Sequence, residues 1–486
     1  MDPTNMLVLM SDEHNARMLG SSGHSIVQTP HLDALAERGV RFSAAYCNSP
    51  ICVPSRASFA TGRYVHQIGA WDNAAPYTGS SSRSWGHCLT NSGIPVTTIG
   101  KLHYRDSSDD VGFPDQRIPM HVMDGKGDLF GCLRHDMAPT RFQLEHIDEA
   151  GPGDSEYLRY DTAIAREAVR WLHEETGGRT TPWCLFVSFT TPHFPLIAPS
   201  RHIDRYRLED IDMPIAGMPD EWPQHAAVND FRRLRVQTES EVRSETAIRV
   251  ARRAYYGMCS FLDEQIGRVL DALEAAGFSS STRIVYTSDH GETLGDYGLW
   301  GKSVMCDSAS AVPMIMAGPD IPKARVSDCP VSLVDLFPSI TAASGVEPCV
   351  EDDDLPGSEL WSIAAGHEPD ERLVFSEYHA MGSSSASYML RDRQFKFVDH
   401  VGYLPQLFDL SSDPTELINL AEDPGYVGTV QFFERALQAI CDPGVTDAAA
   451  KADQARLIAE NGGEDLIRKV GPQINFTRAP VEFRAG

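Results

Sequence analysis

Strand-length apolar runs alternating with amphipathic stretches constrain this chain more than any other feature. Met6-Leu7-Val8-Leu9-Met10 shows no polar alternation, so it reads as a strand buried on both faces. Pro95–Ile99, Trp183–Phe189 and Arg283–Ser288 are further runs of strand length. Helical patterns lie between them. Thr29 as a side-chain cap, Pro30 at the first helical position and Gly39 past the end bracket a helix through Leu32, Leu35 and Ala36. Asp161–Glu175 places Ile164, Ala168, Trp171 and Leu172 on one face. Ala254–Ala276 does the same with Met258, Phe261, Leu262, Ile266, Val269, Leu270 and Leu273, and Gly277 stops it. Together these predict an α/β fold, a large and mostly parallel sheet sandwiched by helices.

In such sheets ligands sit beyond the carboxyl ends of the strands. Asp12, Lys101, His193 and Asp289 each come just after a predicted strand, so all four are expected on one rim. The texture changes around residues 350–371, where Glu351-Asp352-Asp353-Asp354 and several Gly and Pro residues read as a surface connection. Beyond it, Leu373–Tyr378, Tyr388–Leu390, Phe395–Val398 and Leu407–Leu410 predict a small antiparallel sheet. The length of 486 residues suits more than one domain, with a catalytic unit over 1–370 and a C-terminal subdomain over 371–486. The tail beyond about 465 reads as irregular and as packing over a neighbour, which leaves a homo-oligomer open.

Composition narrows the partners. A net charge of −26 argues against nucleic acid or an anionic membrane. The N-terminal apolar run, Met6 to Met10, is too short for a secretory core or a membrane span. Ten cysteines without a CxxC pair indicate neither a disulfide framework nor a zinc finger, so the simplest placement is cytoplasmic.

One cysteine stands apart. In Cys52-Val53-Pro54-Ser55-Arg56 it precedes a proline by two residues and an arginine by four, and Thr61-Gly62-Arg63 comes after. A buried apolar cysteine beside a helix-starting proline is the bland reading. The full run CVPSRASFATGR resembles the signature of the sulfatase family. The resemblance implies an alkaline-phosphatase-like fold. It also implies that a formylglycine-generating enzyme converts Cys52 to an aldehyde, whose hydrate offers one hydroxyl to attack and one to expel product.

The same resemblance implies partners for residue 52. Asp12, Asp289, His290 and residue 52 itself are the expected ligands of one divalent cation. The commoner pattern has a second aspartate where Glu13 stands and an asparagine where His290 stands. Imidazole nitrogen is the softer donor, which tilts the expectation from Ca2+ toward Mn2+. Glu13 is then either a further ligand or a partner of one. Arg56, Lys101, His103 and Lys302 are expected around the nucleophile and the sulfate oxygens, where fixed cations meet developing negative charge. His193, in a Thr191-Pro192-His193-Phe194-Pro195 element, is the expected donor to the leaving alcohol, and His103 the acceptor from the second hydroxyl. His31 and His66 read as packing or solvent contacts.

Trp71-Asp72-Asn73-Ala74-Ala75 is similar to a segment of choline sulfatases and places Asn73 against the ester oxygens. Ser376-Glu377-Tyr378-His379 and Pro405–Leu410 are similar to that branch too, with Glu377 either meeting a cationic alcohol or serving a surface or turn role. The expected activity is hydrolysis of small aryl or alkyl sulfate monoesters, with choline sulfate an alcohol ester to test. Phosphonate monoesters or phosphodiesters in the same site are the alternative: Asp289-His290 favours it, and Lys101 with His103 count against it. An anion-binding protein whose cysteine is never matured is the reading from a different class.

Overall fold

The computed structural model describes residues 2–137, 139–140, 142–179, 181–347, 349–472 and 477–484, the side chains of Phe142 and Gln143 excepted. Eight strands form the main sheet: β1 (Asn5–Asp12), β2 (Val40–Phe42), β3 (Val96–Lys101), β4 (Asp115–Met120), β5 (Cys184–Pro192), β6 (Thr282–Ser288), β7 (Met314–Ala317) and β8 (Arg325–Ser327). Their spatial order is β8-β2-β7-β6-β1-β5-β3-β4. Every pairing is parallel except those of β7 with β2 and β6.

Side-chain alternation along these strands builds two cores. Met6, Val8 and Met10 of β1 join Cys184, Phe186, Val285, Met314 and Met316 on one face. Leu7 and Leu9 join Leu185, Val187, Ile284, Tyr286 and Ile315 on the other. Period-two geometry explains why an unbroken apolar run is needed: both faces are covered. Most of the covering is done by α1 (Pro30–Glu37), α2 (Cys52–Thr61), α3 (Trp85–Asn91), α4 (Glu156–Glu174), α5 (Glu245–Ala275) and α6 (Leu336–Ala343). The first face carries α2, α3 and α6, and the second carries α1, α4 and α5. Each fully buried Leu or Val contributes about 1.5–3 kcal/mol, so Leu9→Ala would cost about 2–5 kcal/mol with its cavity.

Several boundaries differ from the sequence reading for tertiary reasons. Thr29 makes no side-chain cap; its hydroxyl binds the Gly20 N–H and Asp33 instead. The first turn of α1 is served from α5, whose Asp263 carboxylate accepts from His31 and Leu32 N–H groups at 3.1 and 2.8 Å. α4 and α5 begin earlier than their apolar patterns, at Ser155 and Ser244 caps that accept from Leu158 and Ala247. The acidic run at 351–354 is gripped by Arg63 and Arg83, and a buried turn of helix, Leu360–Ala364, comes after it.

The second sheet is an antiparallel meander of β9 (Val374–Tyr378), β10 (Ser387–Arg391), β11 (Phe395–His400) and β12 (Gln406–Asp409). Its Phe375, Tyr388, Leu390 and Phe397 pack with α7 (Val427–Ile440), while Val374, Tyr378 and Met389 pack with Tyr46, Ile51 and Met305 of the larger unit. α8 (Pro443–Glu460) and α9 (Glu464–Val470) follow it in the chain. The tail expected to be irregular is thus part helix, and residues 477–484 pack back on this same chain: Ala479 is fully buried in the second core.

Candidate active site

Parallel β1, β3, β5 and β6 end together, so Asp12, Lys101, His193 and Asp289 meet on one rim as the strand ends require. The Glu13 N–H donates to Asp289 Oδ1 at 3.2 Å and ties the first and sixth strand ends. Cys52 arrives from another direction. Ile51 is extended (φ −159°), the helix starts at Cys52, and Pro54 sits in the first turn where its missing N–H costs nothing. All ten residues of α2 are buried, and Gly62 closes it at φ 67°. Its N-terminus therefore faces the rim, an orientation that favours negative charge there.

Cys52 Sγ lies 3.1 Å from His290 Nε2, 3.5 Å from Lys302 Nζ and 3.7 Å from Asp12 Oδ1. Burial and the Asp12 carboxylate push its thiol up to about 12, against the pull of Lys302 and Lys101. It is a poor nucleophile as a thiol, since little thiolate exists near neutral pH.

Asp12, Cys52, Asp289 and His290 offer donor atoms within 4.8 Å of one another. His290 Nδ1 lies 3.0 Å from the Gly291 carbonyl, which can only accept, so Nδ1 carries the proton and Nε2 turns its lone pair inward. Burial, first, and Lys302 hold this imidazole below its ordinary range, in the ligating form. Two carboxylates and a bare imidazole nitrogen fit one divalent cation.

Arg56 departs from the expectation. The resemblance sets it among the cations facing the substrate, but its guanidinium is 1 % exposed and lies behind the carboxylates. Nε donates to Asp289 Oδ2 at 2.7 Å, Nη2 to Asp12 Oδ2 at 3.2 Å, and Nη1 to Ser188 Oγ and the Lys101 carbonyl at 2.9 and 2.8 Å. A fork with five donors holds both carboxylates in register, which a lysine could not do. Its charge is balanced before any substrate arrives.

A cleft of about 280 Å³ opens above, lined by Cys52, Asn73, Lys101, His103, His193 and Lys302 among others. Lys101 Nζ pairs with Asp12 Oδ2 at 2.5 Å and Lys302 Nζ with Glu13 Oε2 at 2.9 Å. Burial opposes the Asp12 charge, but Lys101, His193 and Arg56 outweigh it and hold the carboxyl well below its usual range. Glu13 goes the other way: burial, only partly offset by Lys302, raises it well above that range. Glu13 contacts Lys302 and His193, at 3.3 Å from His193 Nε2, so it serves the cation and the imidazole beside the metal donors. Glu13 and His103 both adopt left-handed backbone, φ 66° and 62°, conformations that non-glycine residues hold only when packing enforces them.

Asn73 reaches the cleft through α2, its Oδ1 accepting the Val53 N–H at 3.2 Å. Glu377 does not. It is buried away from the cleft lining, accepting from the His66 N–H and Nδ1 at 2.9 Å and from His379 Nε2 at 2.8 Å. Neither a cationic alcohol nor a turn accounts for it; it joins β9 to the segment after α2, and His66 gains a defined partner. His31 packs against Gly267 of α5.

Sequence reasoning missed Asp161. From α4 its Oδ1 accepts from Thr190 N and Oγ1 at 2.8 and 2.7 Å, and its Oδ2 from Thr191 N and Oγ1 at 2.8 and 2.6 Å, fixing the strand end that carries His193. A lone acid on the apolar face of a predicted helix was the available signal. Ser188 and Ser55, which bind Arg56 and the Asp289 carbonyl, carried none.

The chain has recognisable relatives. A sequence profile of the sulfatase family matches residues 4–346, and one described as N-sulphoglucosamine sulphohydrolase, C-terminal, matches 295–442. The chain is 31 % identical over 473 residues to choline-sulfatase of Rhizobium meliloti (strain 1021), covering 93 % of this chain and 90 % of that protein. It is 28 % identical over 477 residues to arylsulfatase K of Danio rerio, covering 94 % and 87 %. Among solved structures, phosphonate monoester hydrolase of Agrobacterium radiobacter superposes with a TM-score of 0.71 at 23 % identity, over 90 % of this chain and 95 % of that one. A protein solved with its substrate D-glucosamine-2-N,6-O-disulfate gives 0.70 at 21 %, over 90 % and 97 %. At such identities the last two show shared fold alone. The chain belongs to the sulfatase family of the alkaline-phosphatase superfamily and is a sulfuric ester hydrolase.

Proposed function

We propose that the substrates are sulfate monoesters of small alcohols, aryl or alkyl, hydrolysed at the cleft over residue 52 after its conversion to formylglycine. The observation that carries this reading is the convergence on the Cys52 sulfur of a metal-donor set and a buried lysine, at 3.1 Å for His290 and 3.5 Å for Lys302. Formylglycine, made from Cys52 by a maturation enzyme, would supply as its hydrate the nucleophilic hydroxyl that the raised thiol does not. Asp12, Asp289 and His290 would hold a divalent cation, Mn2+ or Ca2+, which when bound acts as a Lewis acid on oxygen at residue 52.

The chain's own residues do the rest. Lys302 and Lys101, fixed by Glu13 and Asp12, meet the sulfate oxygens, and Asn73 adds a polar contact from the helix start. His193 Nδ1 donates to the Phe194 carbonyl at 2.7 Å, so the leaving-group proton travels at Nε2. Burial and Lys302 hold this imidazole well below its ordinary range. An entering sulfate anion offsets the Lys302 charge and raises the proton affinity of the ring, the direction that acid function needs. His103 accepts a proton at its free ring nitrogen.

Among the described residues no helix is long and apolar enough to cross a membrane.

Phosphonate monoesters and phosphodiesters are the second reading, favoured by the Asp289-His290 donor pair. Measured kcat/KM for choline sulfate, an aryl sulfate, an aryl phosphonate monoester and an aryl phosphodiester decides between them. The sulfates are expected to lead; a lead for either phosphorus ester overturns the reading.

A further inference from the structure

Residues 477–484, beyond the cleft-lining α9, lie against the site. Thr477 lines the cleft, and its Oγ1 lies 2.6 Å from His103 Nε2. Its carbonyl accepts from the Tyr157 hydroxyl at 2.5 Å, and the Tyr157 ring meets that of His193 edge-on with centroids 5.8 Å apart. The first turn of α4 grips the residues beyond Thr477. Glu156 Oε2 pairs with Arg478 Nη2 at 2.8 Å, Oε1 accepts the Ala479 N–H at 3.1 Å, and Arg159 Nε donates to the Phe483 carbonyl at 2.9 Å. Thr477 is therefore bound by Tyr157, and the residues beyond it by Glu156 and Arg159 of the same helix end.

Among the described residues, His103 Nδ1 is buried without a hydrogen-bond partner. A proton there would be a buried donor with no acceptor, an arrangement folded proteins avoid. Burial, with Lys101, Arg56 and Lys302 adding to it, holds the imidazole well below its ordinary range and so neutral. The proton belongs on Nε2, and Thr477 Oγ1 is the group that receives it.

We propose that Thr477 is a positioning residue for His103: its hydroxyl oxygen accepts the Nε2 proton and holds the neutral imidazole in the tautomer whose Nδ1 is the proton-accepting nitrogen. The inference rests on the sulfate-ester reading for its kinetic consequence, but not for the tautomer itself. Through Tyr157 the same tail residue also braces the face of His193, so one C-terminal position aligns both proton-handling rings.

The test uses the full-length chain labelled with 15N-histidine, as wild type, Thr477→Val and Thr477→Ser, with His103→Ala to assign the signal. Long-range 1H–15N correlation is expected to show His103 protonated at Nε2 and bare at Nδ1 in the wild type and Thr477→Ser, and mixed in Thr477→Val. On an aryl sulfate, Thr477→Val is expected to lower kcat about tenfold, with KM and thermal midpoint near wild type and most activity restored in Thr477→Ser. A wild-type Nδ1–H tautomer, an unaltered kcat in Thr477→Val, or a loss that tracks thermal midpoint would overturn the proposal. Wild-type inactivity on sulfate esters would count against the substrate reading instead, and the tautomer spectrum would still decide the part of Thr477.

Discussion

His290 Nε2 sits 3.1 Å from the Cys52 sulfur while its Nδ1 lies 3.0 Å from the Gly291 carbonyl. The second contact determines the first: a nitrogen whose proton is committed to the backbone leaves the other free to ligate. His290→Asn replaces that nitrogen with an amide oxygen. Affinity for Mn2+ is expected to fall about tenfold or more while Ca2+ is less affected. Thermal shifts of metal-stripped protein titrated with each ion measure this, and an equal loss for both ions rejects the assignment.

Maturation is checked on the tryptic peptide Phe42–Arg56, which should carry an aldehyde or its hydrate at residue 52 and an unmodified thiol at Cys47. Cys52→Ala is expected to lower kcat about a thousandfold or more, the residual rate coming from binding and charge stabilisation alone. A free thiol in a fully active preparation would reject the nucleophile and leave the fold untouched.

Asp161 holds the strand end before His193 through four accepted hydrogen bonds. Asp161→Asn presents an amide N–H to groups that donate, so at least one buried donor loses its acceptor. The expected cost is about 2–3 kcal/mol in urea unfolding, with kcat falling because Nε2 of His193 shifts. Unfolding and kinetics both at wild-type level would remove Asp161 from the positioning role.

Glu377 supplies the pH dependence. Burial raises its pKa, but hydrogen bonds from His379 and His66 prevail and hold it at about 2, against 4.5 in the unfolded chain. A depressed carboxyl stabilises the fold fully above pH 4.5 and loses that contribution as pH falls from 4.5 through 2. The sum is about 3 kcal/mol. Glu377→Gln should flatten the stability profile in that window, as read by denaturation at matched pH values; an unchanged acid slope would show that other groups control it.

His193→Ala separates acid catalysis from binding. An alkyl sulfate needs a proton on its leaving oxygen, and its kcat is expected to drop about 100-fold or more. A nitrophenyl sulfate departs as a stable anion and should lose far less. Equal losses would assign His193 to binding.

The sequence alone determined the sheet and its rim, and it singled out Cys52. Uninterrupted apolar runs such as Met6–Met10 have no stable place except between two helical layers, and parallel strands must present Asp12, Lys101, His193 and Asp289 at one end. The cysteine run stood out as a local pattern, and Asp12, Asp289 and His290 were singled out because their short segments resemble those of a known family. Tertiary structure decided what local pattern cannot carry. Arg56 turned out to be spent on Asp12 and Asp289, and Glu377 on His66 and its neighbour His379, because a charge buried at these depths must find partners and most of them come from distant segments. The same reason hid Asp161, Glu156 and Thr477. Their roles exist only because α4 lies across strand ends and a C-terminal tail some 320 residues further along the chain, and that packing is set by the two cores rather than by any neighbour in sequence.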